Sequence, residues 1–305
     1  MRSLSLAVPA LSALVFAAFP ASGEAAGSTV RIHHGQSPTL HVYIADSKAG
    51  TVDRFPLIDG VLASTPDATL DVPQDSLAIG VARNGTMYVG NGALSEILVY
   101  AAGAQGNAQP IQTIPVPLPP IDVAVDANGY IFTRATGTNG LSTVYGYTPS
   151  GMEAVVIDLQ QASSLAFDPQ GNLYLGDDNG FNVYATPDTA PTLIRSACVR
   201  TEKSPVLDVT VSQDARIFIA RIGYITRARD TLSSCPFPFG LYNMFVQDDP
   251  PFYLPFLATG GGFLFSVEFY QKRLLQLDPN KANQKPISDV RYSGFQGPYG
   301  IAVGP

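Results

Sequence analysis

Seven oxygen-bearing side chains recur at matching places along this 305-residue chain: Asp46, Asn91, Asp122, Ser164, Asp177, Asp208 and Glu268. Asp122, Ser164 and Asp208 each stand at the start of a short apolar run, and Gly80 and Gly300 align with them. Asp46, Asn91, Asp177 and Glu268 each close a second kind of apolar run, where Ala135 and Arg221 take the equivalent place. Oxygen donors gathered in this way suit a hard cation such as Ca²⁺ or Mg²⁺. Asp122, Asp208 and Glu268 are the expected metal ligands, because a carboxylate holds such an ion better than an amide or hydroxyl does. A cation held there would polarise an ester or a sugar. The same residue types also bond to neighbouring backbone N–H groups in turns, so a structural role is the competing expectation.

Other chemistry is poorly supplied. The three histidines, His33, His34 and His41, cluster near the N-terminus, far along the chain from Cys198 and Cys235. That separation argues against a Cys–His nucleophile, and two cysteines are too few for a zinc ribbon. The formal net charge is −7, with no Lys/Arg-rich run to track phosphates, so nucleic acid and anionic membrane surfaces are excluded as partners.

The elements that must position the oxygens are marked by a repeat. Tyr43, Tyr88, Phe132, Tyr174, Phe218 and Phe265 each sit in the middle of an apolar triplet, at intervals of 42 to 47 residues. A period of this size holds about four short strands and their turns, the content of one β-propeller blade. Turn sequences precede four of the markers: Asn84-Gly85, Asn128-Gly129, Gln170-Gly171 and Asp214-Ala215. Third strands are expected around Phe55, Tyr100, Tyr147, Tyr184, Ala228 and Leu277, and fourth strands in Ile111 to Ile114, Ala154 to Ile157, Leu193 to Arg195 and Ile287 to Val290. The first unit lacks an inner strand, whereas the chain ends in one without partners, Pro298 to Val303. Joining the two predicts an all-β, six-bladed propeller of four-stranded blades with no exposed sheet edge at its seam. The start of each first strand and the end of each second would then ring one mouth of a central channel.

Residues 1–23 read as a secretory signal: Arg2, an apolar run from Leu4 to Phe19, then Pro20 and small residues. A lead-in segment over 24–38 and a propeller over 39–305 follow. The mature chain is expected to be secreted or periplasmic, with no stable membrane insertion after signal removal. An oxidising compartment favours a Cys198–Cys235 disulfide over two buried thiols. The aromatic and Pro-rich stretch from Cys235 to Tyr253 reads either as a binding loop or as a cover for the fifth blade's edge.

The run Ile121 to Phe132, with its counterparts Pro298 to Val303 and Leu173 to Asp177, resembles the NHL-repeat six-bladed propellers. These are related to the gluconolactonase/regucalcin-like and streptogramin-lyase-like propellers. The resemblance implies a fold rather than an activity, since relatives include both interaction modules and metal-dependent enzymes. Lactonase-type relatives hold a cation with Glu in a Glu-Gly-Pro motif, where this chain has Gln296-Gly297-Pro298. Streptogramin-lyase-like relatives use His and Glu, but no His follows His41 here. The expected function is an exported module binding a protein, glycan or small molecule. The alternatives are a divalent-metal-dependent lactonase-like hydrolase or lyase working through the mouth carboxylates, and a structural component of the envelope.

Overall fold

The six strands that carry the marker aromatics bury nearly every residue. They are the second strands of six sheets, and burial on both faces means that each sheet is covered on both sides by another sheet. In the computed structural model the described residues are 39–177, 180–185, 187–198, 205–222, 224–228, 242–244, 255–281 and 284–305.

Blade 1 is built from β1 (His41–Asp46), β2 (Thr51–Ile58), β3 (Val61–Leu62) and β4 (Ala68–Asp71), together with the last strand of the chain. Blade 2 contains β5 (Ser76–Val81), β6 (Met87–Asn91), β7 (Glu96–Tyr100) and β8 (Gln112–Pro115). Blade 3 contains β9 (Pro120–Val125), β10 (Ile131–Thr136), β11 (Ser142–Tyr147) and β12 (Glu153–Leu159). Blade 4 contains β13 (Ser164–Phe167), β14 (Leu173–Asp177), β15 (Gly180–Ala185) and β16 (Thr192–Cys198). Blade 5 contains β17 (Val206–Val211), β18 (Ile217–Arg221), β19 (Tyr224–Ala228) and β20 (Tyr242–Met244). Blade 6 contains β21 (Pro255–Gly260), β22 (Phe263–Glu268), β23 (Arg273–Leu277) and β24 (Ser288–Val290), and β25 (Pro298–Gly304) follows it.

Every blade is an antiparallel meander, and β25 pairs with β1 as the inner strand of blade 1. The expected closure and four-stranded plan are present; the small strand β3 is an addition, pairing with the end of β2. Successive inner strands touch around the full circle, β25, β5, β9, β13, β17, β21 and back to β25.

Six hydrophobic clusters hold this ring together, one at each junction between neighbouring blades. Phe132, Phe218 and Phe265 are fully buried, with Tyr43, Tyr88 and Tyr174 nearly so. Fully burying one large apolar side chain contributes about 1.5–3 kcal/mol. The outer strands alternate instead, as in β12, where Val155 and Ile157 are buried between exposed neighbours. Blade 1 is clamped at the seam by Asp46, whose carboxylate accepts N–H groups from Lys48, Ala49, Gln296 and Gly297. Tyr43 also donates its hydroxyl to the Pro305 carbonyl.

The turns between first and second strands share one geometry. Gly85, Gly129 and Gly171 adopt φ of 85°, 86° and 85°, and Ala215 is forced into the same left-handed region at 59°. A Cβ in that region costs about 1 kcal/mol, because it crowds the neighbouring backbone. Ala215→Gly is therefore expected to stabilise the protein by about 0.5–1 kcal/mol, read as a raised urea midpoint with an unchanged m-value. An unchanged or lowered midpoint would contradict the strain at this turn.

Candidate functional site: the central cavity

The inner strands are the sheet edges that face the axis, and each carries channel-side N–H groups with no strand to receive them. In three of the six blades a side chain from the preceding inner strand does so. Asp122 Oδ2 accepts the Leu165 N–H at 2.9 Å, Ser164 Oγ accepts the Val209 N–H at 2.8 Å, and Asp208 Oδ2 accepts the Leu257 N–H at 2.6 Å. The relay runs from blade 3 to blade 6. Asp208 Oδ1 also takes the N–H of its own neighbour, Val209, at 2.7 Å.

Cross-strand register corrects one member of this column. Asp122, Ser164 and Asp208 pair with the residues two past their markers, and by that rule the blade 2 member is Ala78, not Gly80. Gly80 stands level with the marker Tyr88. Phe256 fills the column in blade 6 and Gly300 in blade 1. Just before this column, pairing in blade 2 jumps from Ser76 to Ala78 and leaves Leu77 unpaired in a β-bulge.

The bulge recurs. Ile121, Leu207 and Tyr299 are skipped in the same way in blades 3, 5 and 1. A bulge bends the strand and re-aims a side chain. Leu77, Ile121, Leu207 and Tyr299 all line a central cavity of about 240 Å³, and Ser163 of blade 4 lines it at the equivalent level. Four bulges at one level of the ring thus place an apolar collar with one tyrosine around the axis.

Asp122, Ser164 and Asp208 line this cavity; Asp46, Asn91, Asp177 and Glu268 do not. The physical reason is strand alternation. Residues three past a marker lie on the opposite sheet face from those two past it, at the strand end, where their side chains serve the turn into the third strand. Asn91 accepts the Ala93 N–H and donates to Glu96. Asp177 accepts the Gly180 N–H at 2.7 Å and the Asn182 side-chain amide at 3.2 Å. Glu268 pairs with the buried Arg273, which also reaches Asp289. Among the described residues no three His, Cys, Asp or Glu side chains converge in a metal-holding group, so Asp122, Asp208 and Glu268 are not brought together. Cys235, the side chain of Cys198 and most of the 235–253 stretch lie outside the described residues, as do His33 and His34.

Arg134 completes the cavity. It pairs across strands with Asp122 and therefore shares its sheet face. The corresponding positions in the other five blades are Ala45, Gly90, Gly176, Ala220 and Val267. One arginine in a column of small and apolar residues was the sequence signal for this site. It is visible only when residues two past the marker are aligned rather than three.

Arg134 is only 9% exposed, and its Nη1 donates to the Ala162 carbonyl at 3.0 Å and to Thr136 Oγ1 at 3.3 Å. Burial lowers its pKa from the ordinary arginine value, while the nearby Asp122, Tyr299 and Asp208 oppose that shift. Burial raises Asp122 above the ordinary carboxylate range, against the attraction of Arg134 and two backbone N–H groups. Water-sized space reaches Asp122 from the cavity, yet the surrounding protein still desolvates it. Asp208 is raised well above that range, first by burial and then by the negative charge of Asp122. Burial also raises Tyr299. Two carboxyl groups, one guanidinium and one phenol therefore share one electrostatic environment.

No protein-family profile and no curated protein sequence matches the chain. Solved structures match it in fold. A nidogen/laminin complex aligns with a TM-score of 0.67 at 14% identity, covering 87% of this chain and 98% of that one. A protein of unknown function from Bacteroides caccae aligns at 0.60 and 10% identity, with the same coverage of 87% and 98%. Virginiamycin B lyase from Staphylococcus aureus aligns at 0.52 and 15% identity, covering 83% and 85%. At such identities the likeness establishes the six-bladed propeller and leaves the chemistry to be argued from the cavity.

The raised Asp208 carboxyl gives a pH test. Below about pH 3.9, the ordinary aspartate value, this carboxyl is protonated in both folded and unfolded chains. As pH rises the unfolded chain ionises first, so folding must take up a proton, and stability is lost until the pH passes the raised folded value. Asp208→Asn cannot ionise. Urea denaturation at stepwise higher pH from pH 4 should show the wild type losing ground to Asp208→Asn until the raised folded value is passed. A stability gap that does not change with pH would refute the raised carboxyl.

Proposed function

We propose that this protein is an exported binding module that takes a small molecule into its central cavity. The single observation that carries the reading is the recurrence of β-bulges at one level of four inner strands, each setting its extra residue around the cavity that holds Arg134, Asp122 and Asp208. Bulges disrupt a ladder, and their concentration beside a polar cluster is the expected mark of a site. Ring packing alone has no need of them: the inner strand of blade 6 pairs through this level without one. The nidogen/laminin and virginiamycin B lyase structures show that this fold serves both in a protein complex and in an enzyme. The cavity of this chain favours a ligand of modest size over a protein surface.

Export rests on the N-terminal pattern of Arg2 followed by the apolar Leu4 to Phe19 run. Mass spectrometry of the protein recovered from the producing cells should find a mature N-terminus near residue 24 and the chain outside the cytoplasm. An intact Met1 on cytoplasmic protein would overturn this part of the reading.

Ligand binding is tested with a panel of neutral, anionic and cationic small molecules, followed by thermal shift. A molecule that binds the folded state alone adds about 2.7 kcal/mol of stability at 100 times its Kd. At least one member of the panel is expected to raise Tm, and Leu77→Trp, which fills the collar at a half-buried position, is expected to abolish that rise. Shifts that survive in Leu77→Trp would place the ligand elsewhere, and the absence of any shift would sink the binding-module reading.

A further inference from the structure

The guanidinium of Arg134 is anchored on one side only. Its Nη1 is spoken for by Ala162 and Thr136, whereas Nε has no acceptor, and no described residue bonds to Nη2. Nε and Nη2 form the side-on fork of an arginine, two parallel N–H groups whose spacing matches the two oxygens of a carboxylate. Nε is buried without an acceptor, and a buried donor left unmet is costly. The protein's own carboxylates do not fill it. Asp122, the cross-strand partner, points its oxygens at the Leu165 and Val123 N–H groups, and Asp208 is committed to Leu257 and Val209.

A second polar atom of the cavity lining is also unmet. Ser163 follows directly on Ala162, the residue that receives Nη1, and its buried Oγ has no hydrogen-bond partner. Across the cavity the lining turns aromatic. Tyr299 packs on Phe256 with ring centroids 4.1 Å apart, and Phe269 meets Tyr299 edge-on at 6.3 Å. The cavity's 240 Å³ exceeds the roughly 150 Å³ that holds a benzene molecule in a protein interior.

The geometry points to a carboxylate anchor: the Nε/Nη2 edge of Arg134 receives the carboxylate of a small monocarboxylic acid whose planar or apolar body lies toward Tyr299 and Phe256. This rests on the binding-module reading and supplies its ligand class. Arg134 is the one basic side chain among the described residues lining the cavity, so its fork balances one negative charge and leaves a second unpaired, and dicarboxylates and phosphate are poor occupants.

Benzoate is the probe, compared with benzamide, benzamidinium and inorganic phosphate by isothermal titration calorimetry on the mature protein. Benzoate should bind, and the other three should bind at least about tenfold more weakly. Arg134→Gln should weaken benzoate at least about tenfold. Arg134→Lys, which keeps the charge but loses the fork, should weaken it by a similar factor. The comparison of benzoate with benzamide needs no variant, so the inference can be tested even if Arg134→Gln fails to fold. Equal affinity for benzoate and benzamide, tighter binding of phosphate, or benzoate binding untouched in a folded Arg134→Gln would overturn it. Binding of benzamide or benzamidinium alone, lost in Leu77→Trp, would overturn the carboxylate anchor while leaving the binding module standing. Failure of every probe here and of the wider panel would overturn both.

Discussion

The inner edges of six radial sheets all face one axis, and their channel-side N–H groups must find acceptors where no further strand can be added. An unmet buried N–H costs about 1–3 kcal/mol, and a bond from it to a carboxylate contributes about 1.5–3 kcal/mol. Asp122, Ser164 and Asp208 meet that demand for Leu165, Val209 and Leu257, each reaching from one blade to the next. The same bonds fix the angle between neighbouring blades and carry two acidic groups to the axis. Polarity at the centre of this protein is thus a consequence of closing a ring of sheets, and any ligand chemistry there is built on groups that the fold already holds in place.

The other half of the ring solves the problem with close approach. A Cβ on Gly300 would fall 2.7 Å from the Leu77 carbonyl and 3.2 Å from the Ile79 nitrogen, so blades 1 and 2 meet backbone to backbone. Phe256 replaces a polar residue in blade 6 and stacks on Tyr299 instead. The cavity is therefore two-sided, with Arg134 and the acids in blades 3 to 5 and the aromatic pair at the junction of blades 6 and 1. That asymmetry gives a ligand a defined orientation, which a six-fold ring of identical residues would lack. The seam contributes too. Asp46 holds Gln296 and Gly297, the residues directly before β25, and so places Tyr299.

The blades were legible because period and burial speak together: an aromatic every 42 to 47 residues, flanked by turns that need positive φ, has few structural solutions. Ring closure was legible because an inner strand stood at one end of the chain and its missing partner at the other. The site was only half legible. Asp122, Ser164 and Asp208 were aligned correctly, each ten residues before its marker, but Gly80 stands only eight before Tyr88, and both that spacing and the cross-strand pairing give the place to Ala78. The second-strand column was aligned one residue past the face that looks inward. A shift of one in a strand exchanges the two faces of the sheet, so Asp46, Asn91, Asp177 and Glu268 were grouped with the mouth while Arg134 went unseen.

Arg134 is the residue for which stability and function pull apart. Five blades place Ala, Gly or Val at its level, and that choice packs the ring at no electrostatic cost. Blade 3 instead buries a guanidinium that satisfies one nitrogen and leaves a fork unmet, beside carboxyl groups whose own ionisation burial opposes. If Arg134 is shortened, the Ala162 carbonyl keeps the Ser142 hydroxyl as a donor at 3.4 Å in place of the 3.0 Å bond from Nη1. Strain and unmet polarity of this kind persist where function holds them. The relay of acids would exist in any propeller that closed its ring this way. The arginine set among them has no counterpart in the other five blades.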